Sequence, residues 1–342
     1  MKRPADATVR SSPPQTLTPP DGEDGTRCWV LRSDSDGIDR LLPRTSRSVL
    51  RMVQLAPGRL HTRLFRFVGR AVDVDGGSTD LPLRATGTTP PGRATVTFPL
   101  ARHGIFTAAA HDLAPDDVLV WPPSTPYFGV SPAGYRWVTV ILPAASTPRV
   151  EASTDAGTGL RAAPSSPAVR RAVDELVAAM DAWGAPGATR LDGDRAASLV
   201  TGWTQVAEWA LAHAARLPEP SVGRRNATAV VAAAERVLVR RLGEVVYLRE
   251  LVDELRVPAR TLEAAFRSVL AMTPMRYLEL LRAHAVFSSL RADDPGAARS
   301  VEEAEVRAGV RHGARFAARY RAVFGETPAQ TLRAARERPR PS

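Results

Sequence analysis

The chain has 342 residues, 44% hydrophobic and 24% charged, with a formal net charge of +10; that is enough for two domains, each burying its own core. No apolar run approaches the roughly 18 residues of a membrane span, and the single cysteine, Cys28, excludes an internal disulfide and a cysteine-based zinc site. A cytoplasmic protein in a reducing compartment is the expectation.

Residues 1–26 are rich in Pro, Ser, Asp and Gly and lack an apolar segment after Lys2 and Arg3, which predicts a disordered leader rather than a signal peptide. From 27 to about 150 the pattern is short apolar or alternating runs: Val49–Val53, Thr62–Val68, Ala94–Phe98, Asp117–Trp121 and Tyr135–Leu142. Turn signals separate them at Pro57-Gly58, Gly76-Gly77, Pro91-Gly92, Pro122-Pro123 and Pro132-Ala133-Gly134. Such spacing predicts an antiparallel β sandwich or barrel. Trp121, Tyr127, Phe128 and Trp137 are candidate lining for a small-molecule pocket there, although core packing explains them equally well.

A Ser/Thr/Gly/Ala-rich loop (153–167) precedes helical periodicity over 166–217, with Val173, Leu176, Val177 and Met180 on one face and Leu199, Trp203, Val206 and Ala210 on another. With Trp209, this segment is a candidate dimer interface. Pro218-Glu219-Pro220-Ser221 reads as a linker, and the pattern from about Thr228 to Arg336 is helical throughout. The fold class is therefore α+β, with an all-α C-terminal part.

The C-terminal part contains an internal repeat. Leu262-x3-Phe266-x3-Leu270-x2-Thr273-Pro274-x3-Leu278 recurs as Phe316-x3-Tyr320-x3-Phe324-x2-Thr327-Pro328-x3-Leu332, at a constant offset of 54. In each copy an i, i+4, i+8 stripe ends a helix; the Thr caps the next one, and Pro sits where a backbone donor would be orphaned anyway. A short amphipathic helix precedes each copy: Leu248, Leu251, Val252 and Leu255 in the first, Val301, Ala304 and Ala308 in the second. Two steeply crossing helices make a helix-turn-helix whose second member enters a major groove. These second helices are predicted at 258–270 and 312–324, joined by a rigid helix from Pro274 to Leu290. From Arg224 to Ser342 there are 22 arginines against 14 acidic residues, which favours a polyanionic partner. Double-stranded DNA is the expected partner.

These residues resemble the AraC/XylS family of bacterial transcription regulators over roughly Val230 to Arg336, most specifically in Gly309-x6-Phe316-x3-Tyr320-x3-Phe324-Gly325-x-Thr327-Pro328. The β-rich region is similar in texture to the cupin-like effector-binding and dimerisation domains of that family. The resemblance implies a homodimer, a small-molecule effector, and RNA polymerase as a partner if the protein activates. Three departures stand out. Pro258 replaces the capping serine, Val310 the usual phenylalanine, and Glu305 occupies a core-facing position that needs an arginine partner such as Arg319.

On the first recognition helix Arg260 is the candidate for bidentate contact with guanine and Glu263 for cytosine N4, with Ala264 beside them and Thr261 and Arg267 at phosphate. On the second, Arg311, His312, Arg315 and Arg319 are the candidates, and Gly313 and Ala314 read little. The first unit is expected to carry most base specificity. His61, His103 and His111 are scattered and form no metal-binding His-x-His, and no phosphate loop or nucleophile elbow occurs, so neither a cofactor nor catalysis is expected. A non-specific architectural DNA binder, a constitutive regulator whose β domain only dimerises, and a β-barrel enzyme fused to a DNA-binding domain are the alternatives.

Overall fold

The structure, a computed structural model, describes residues 29–36, 49–69, 71–100, 104–114, 116–143, 160–183, 187–292, 298–310 and 313–337. The leader, Cys28, His103, Arg311 and His312 lie outside the described residues.

The strands are β1 (Trp29–Asp36), β2 (Val49–Gln54), β3 (His61–Val68), β4 (Asp73–Thr79), β5 (Leu83–Thr88), β6 (Arg93–Pro99), β7 (Phe106–Ala108), β8 (His111–Leu113), β9 (Asp117–Trp121), β10 (Pro126–Ser131), β11 (Tyr135–Pro143), β12 (Arg161–Pro164), β13 (Gly187–Arg190) and β14 (Ala215–Arg216). They form two antiparallel sheets. The larger runs β13-β1-β3-β4-β11-β6-β9-β12-β14 and the smaller β2-β5-β10-β7-β8. The strands read from alternation are all present. Gly76 and Gly77, however, lie inside β4 and not in a turn. A Cβ on Gly76 would sit 2.2 Å from Phe65 Cζ, and one on Gly77 2.2 Å from the Arg63 carbonyl oxygen. Close approach of β3, not chain reversal, requires glycine there.

Helices α1 (Pro167–Trp183) and α2 (Gly193–His213) cover the outer face of the larger sheet. Val173, Val177, Met180, Leu199, Trp203 and Val206 pack there against Phe67, Val74, Val96, Val120 and Val140. Trp203 is fully buried and Val206 nearly so, which removes both from a dimer surface; Trp209 is only partly buried. The apolar stripe that suggested an interface is satisfied within the chain.

The remaining helices are α3 (Val222–Arg240), α4 (Leu248–Leu255), α5 (Ala259–Leu270), α6 (Pro274–Arg291), α7 (Val301–Arg307), α8 (Ala314–Phe324) and α9 (Pro328–Arg336). α3 starts six residues before the expected Thr228, because Ser221 caps it by accepting from the Arg224 backbone N–H at 3.3 Å. Thr273 and Thr327 cap α6 and α9 through bonds of 3.2 and 3.3 Å from Arg276 and Gln330 N–H, each with Pro at the first turn. Both repeats thus fold alike. Their shared core joins Leu262, Phe266 and Leu270 to Tyr277, Leu281, Phe287, Tyr320 and Phe324.

Candidate nucleic-acid interface and internal cavity

In the first unit α4 ends at Arg256, whose left-handed φ of 52° turns the chain into α5. Leu262, Ala265, Phe266 and Leu270 bury one face of α5, so Arg260, Thr261, Ala264 and Arg267 stand exposed on the other. Glu263 is half-buried and pairs with Arg267 at 3.0 Å, an i, i+4 contact on the helix surface. Arg260 makes no ion pair with any described residue.

In the second unit Gly309, at φ 65°, abuts the Gly243 backbone, where a Cβ would fall 2.7 Å from the carbonyl carbon. α8 exposes Arg315 and Arg319 and buries Tyr320, Val323 and Phe324. Arg319 does not serve the role expected of it: its guanidinium pairs with Glu279 on α6 at 2.6 Å. Glu305 is nonetheless buried, 2% exposed. Gly313 and Ala314 are exposed at the start of α8 and offer no functional side chain.

The two sheets enclose a cavity of about 130 Å³. Of the four expected pocket residues, Tyr127 and Trp137 line it. Trp121 lies behind it as fully buried core, its ring 4.7 Å from that of Tyr127. Phe128 points away from the cavity and lies under the Arg84 guanidinium at 5.8 Å. Phe106, Tyr135 and Trp137 form a stacked wall, with successive ring centroids 5.0 and 5.7 Å apart. Burial pushes the Tyr127 hydroxyl up to about 12, and that of Tyr135 well above its ordinary value.

Across the cavity floor runs a polar row that alternation alone did not single out. Arg66 on β3 lies opposite Asp75 on β4, Asp75 opposite Thr139 on β11, and Thr139 opposite Thr97 on β6. Arg66 Nε lies 3.3 Å from Asp75 Oδ1, and the Thr97 and Thr139 hydroxyls are 3.2 Å apart. Burial raises the Asp75 carboxyl above its usual range, and the Arg66 charge opposes that shift. Among the described residues no group of His, Cys, Asp or Glu is arranged to hold a metal ion.

The smaller sheet is a wall with two uses. Met52, Leu83, Ala85, Gly129 and Ser131 face the cavity. Their chain neighbours Val53 and Val130 pack into the helical core instead. Arg84 reaches across to α3, where its Nη2 and Nε donate to Glu235 Oε2 at 2.9 and 3.3 Å. The other oxygen, Oε1, accepts from the Tyr277 hydroxyl at 2.5 Å. Arg84 and Glu235 are almost wholly enclosed. Beside them the Gln54 backbone N–H donates to His284 Nε2 at 3.0 Å, and the Gln54 side-chain amide donates to the Val323 carbonyl at 2.8 Å. Gly58 N–H donates to the Ala322 carbonyl of α8 at 3.0 Å. Burial lowers His284 to about 4, and its Nε2, used as an acceptor, has no room for a proton. None of these contacts was legible beforehand: those from the smaller sheet to the helices pair positions at least 150 residues apart, and Tyr277 and Glu235 lie 42 apart on different helices.

Residues 251–334 match the helix-turn-helix domain family. This C-terminal region is therefore a helix-turn-helix domain. Among solved structures the chain is similar to the AraC-like transcriptional activator CuxR, with 12% identity, a TM-score of 0.36, and coverage of 81% of this chain and 99% of that one. ToxT from Vibrio cholerae, solved with an unsaturated fatty acid bound, has 8% identity, a TM-score of 0.29 and coverage of 91% and 97%. An AraC-type regulator from Chromobacterium violaceum has 21% identity, a TM-score of 0.29 and coverage of 34% and 96%. No curated protein matches the chain.

Proposed function

We propose that the chain is a sequence-specific regulator that reads two successive major-groove segments with α5 and α8, under the control of a small effector in the β-region cavity. The observation that carries the DNA reading is the pairing of two like-capped units on α6. Its 18 residues span about 27 Å at 1.5 Å per residue, and each recognition helix exposes arginines opposite its buried stripe. Arg260 and Glu263 are assigned to bases, and Thr261, Arg267, Arg315 and Arg319 to phosphate or bases, with Ala264 against the groove floor. Arg311 and His312 belong to the same assignment by sequence. Glu263 and Arg319 must leave their present partners Arg267 and Glu279 to do so.

The proposed division is an effector-binding region at 27–150, a helical segment at 166–217 and a DNA-binding domain at 228–336. The protein acts as a homodimer in the cytoplasm, carries no catalytic activity, and contacts RNA polymerase where it activates. Regulation follows from the shared wall. A ligand that shifts Leu83, Ala85 or Gly129 moves strands whose opposite faces carry Arg84 and Val130 against the helices. Selection of bound sequences from a random DNA pool, followed by competition with scrambled DNA at physiological salt, tests the reading. A specificity ratio of 10³ or more supports it, and a ratio near one makes the chain an architectural binder.

A further inference from the structure

The polar row on the cavity floor carries a consequence for what the cavity accepts. Polar side chains in the middle of an apolar sandwich are unfavourable unless each finds a partner. Here several do not. Thr95 and Tyr135 both line the cavity, and neither hydroxyl, each buried, has a hydrogen-bond partner among the described residues. Asp75 Oδ1 makes no hydrogen bond either, and its approach to Arg66 Nε at 3.3 Å is long beside the 2.7–2.9 Å common for charge-assisted pairs.

The two members of the ion pair are unequally presented. The Arg66 side chain is sealed, 3% exposed, whereas that of Asp75 is 22% exposed and lines the cavity. The formal charge accessible to an incoming molecule is therefore negative. Around it stand the rings of Phe106, Tyr127, Tyr135 and Trp137, whose faces favour cations. A cavity of about 130 Å³ is close to the roughly 150 Å³ that accommodates benzene.

We infer that the cavity takes a small organic amine, its protonated nitrogen seated on the Asp75 carboxylate and its compact apolar body against Tyr135 and Trp137. The inference rests on the reading of this cavity as the effector site. Thr95, Thr97 and Thr139 offer acceptors to the remaining N–H groups, while a ligand carboxylate would face Asp75 with like charge.

The test uses the full-length protein and three probes of one shape: benzylamine, benzyl alcohol and benzoate, titrated at constant ionic strength by calorimetry and tryptophan fluorescence. Benzylamine is expected to bind at least tenfold more tightly than benzoate. Asp75→Asn is expected to remove that preference and leave benzyl alcohol affinity unchanged. Should Asp75→Asn fail to fold, the wild-type comparison and Thr97→Val, expected to weaken benzylamine severalfold, still decide the matter. Benzoate binding as well as or better than benzylamine overturns the amine assignment and leaves the effector site standing. Binding of none of the three overturns both.

Discussion

Replacing Glu235 with glutamine is expected to be among the most damaging single changes in the protein. The perturbation is small in shape: one carboxylate oxygen becomes an amide nitrogen. Its electrostatic effect is large because the Arg84 guanidinium, 2% exposed, would keep its charge with no counterion. Removing one partner of a buried pair costs about 3–5 kcal/mol, comparable with a large share of the roughly 5–15 kcal/mol by which domains are stable. The Tyr277 hydroxyl also exchanges a charged acceptor at 2.5 Å for a neutral one. The double variant Arg84→Met with Glu235→Leu should recover most of the loss, since apolar residues of similar volume often replace buried pairs without penalty. Urea unfolding supplies the assay, with two probes. All six tryptophans precede residue 210 and report the β region with its helices, whereas helical circular dichroism draws heavily on the C-terminal domain. In the wild type the two transitions are expected to coincide, and in Glu235→Gln to separate. A loss below about 1 kcal/mol, or a double variant no better than the single one, would refute the claim that this pair joins the two regions.

Other expectations follow from single contacts. His284 is neutral when folded and lowered to about 4 from 6.5, so the unfolded chain takes up the proton first as pH falls. Stability should be fully present above pH 6.5 and decline by up to about 3 kcal/mol between 6.5 and 4, a slope that His284→Gln should flatten in pH-dependent melting curves. Arg260→Ala should cost ~1–3 kcal/mol on the preferred operator and relax selection at one base pair; uniform weakening on all sequences would make Arg260 a phosphate contact. Gly76→Ala would place a Cβ 2.2 Å from Phe65 Cζ and should lower stability by about 1–3 kcal/mol on thermal unfolding, with no cavity opened to offset it.

The parts of the molecule legible in advance were those built from local periodicity. Leu262, Phe266 and Leu270 recur at helical spacing, and Thr273-Pro274 and Thr327-Pro328 carry their own capping chemistry, so both repeats could be placed from the chain alone. Gly76-Gly77 misled because glycine serves tight turns and close strand packing alike, and only the Phe65 ring opposite distinguishes them. The early start of α3 was hidden by Gly223 and Asn226, both weak helix formers, in its first turns. Arg66, Asp75, Thr97 and Thr139 come from four strands, and nothing in any one strand announces that the four meet. Trp121 and Phe128 looked like pocket residues because aromatic side chains serve cores and ligand sites equally; their neighbours Tyr127 and Trp137 differ only in which way the strand faces.

The smaller sheet gives this protein a grammar that limits how it can be rebuilt. Because Met52, Leu83, Ala85, Gly129 and Ser131 touch the cavity while Val53, Arg84 and Val130 touch the helices, the cavity-facing and helix-facing vocabularies are interleaved residue by residue on the same strands. A chimera that joins this β region to another helix-turn-helix domain at the 218–221 link would therefore carry over the cavity while leaving Arg84 facing a surface without Glu235. The cavity lining, by contrast, can be altered at alternate positions without disturbing the joint. Exchange of parts between proteins built this way is expected to keep the two regions joined when the outward residues of β2, β5 and β10 travel with α3 and α6, and to uncouple them when they do not.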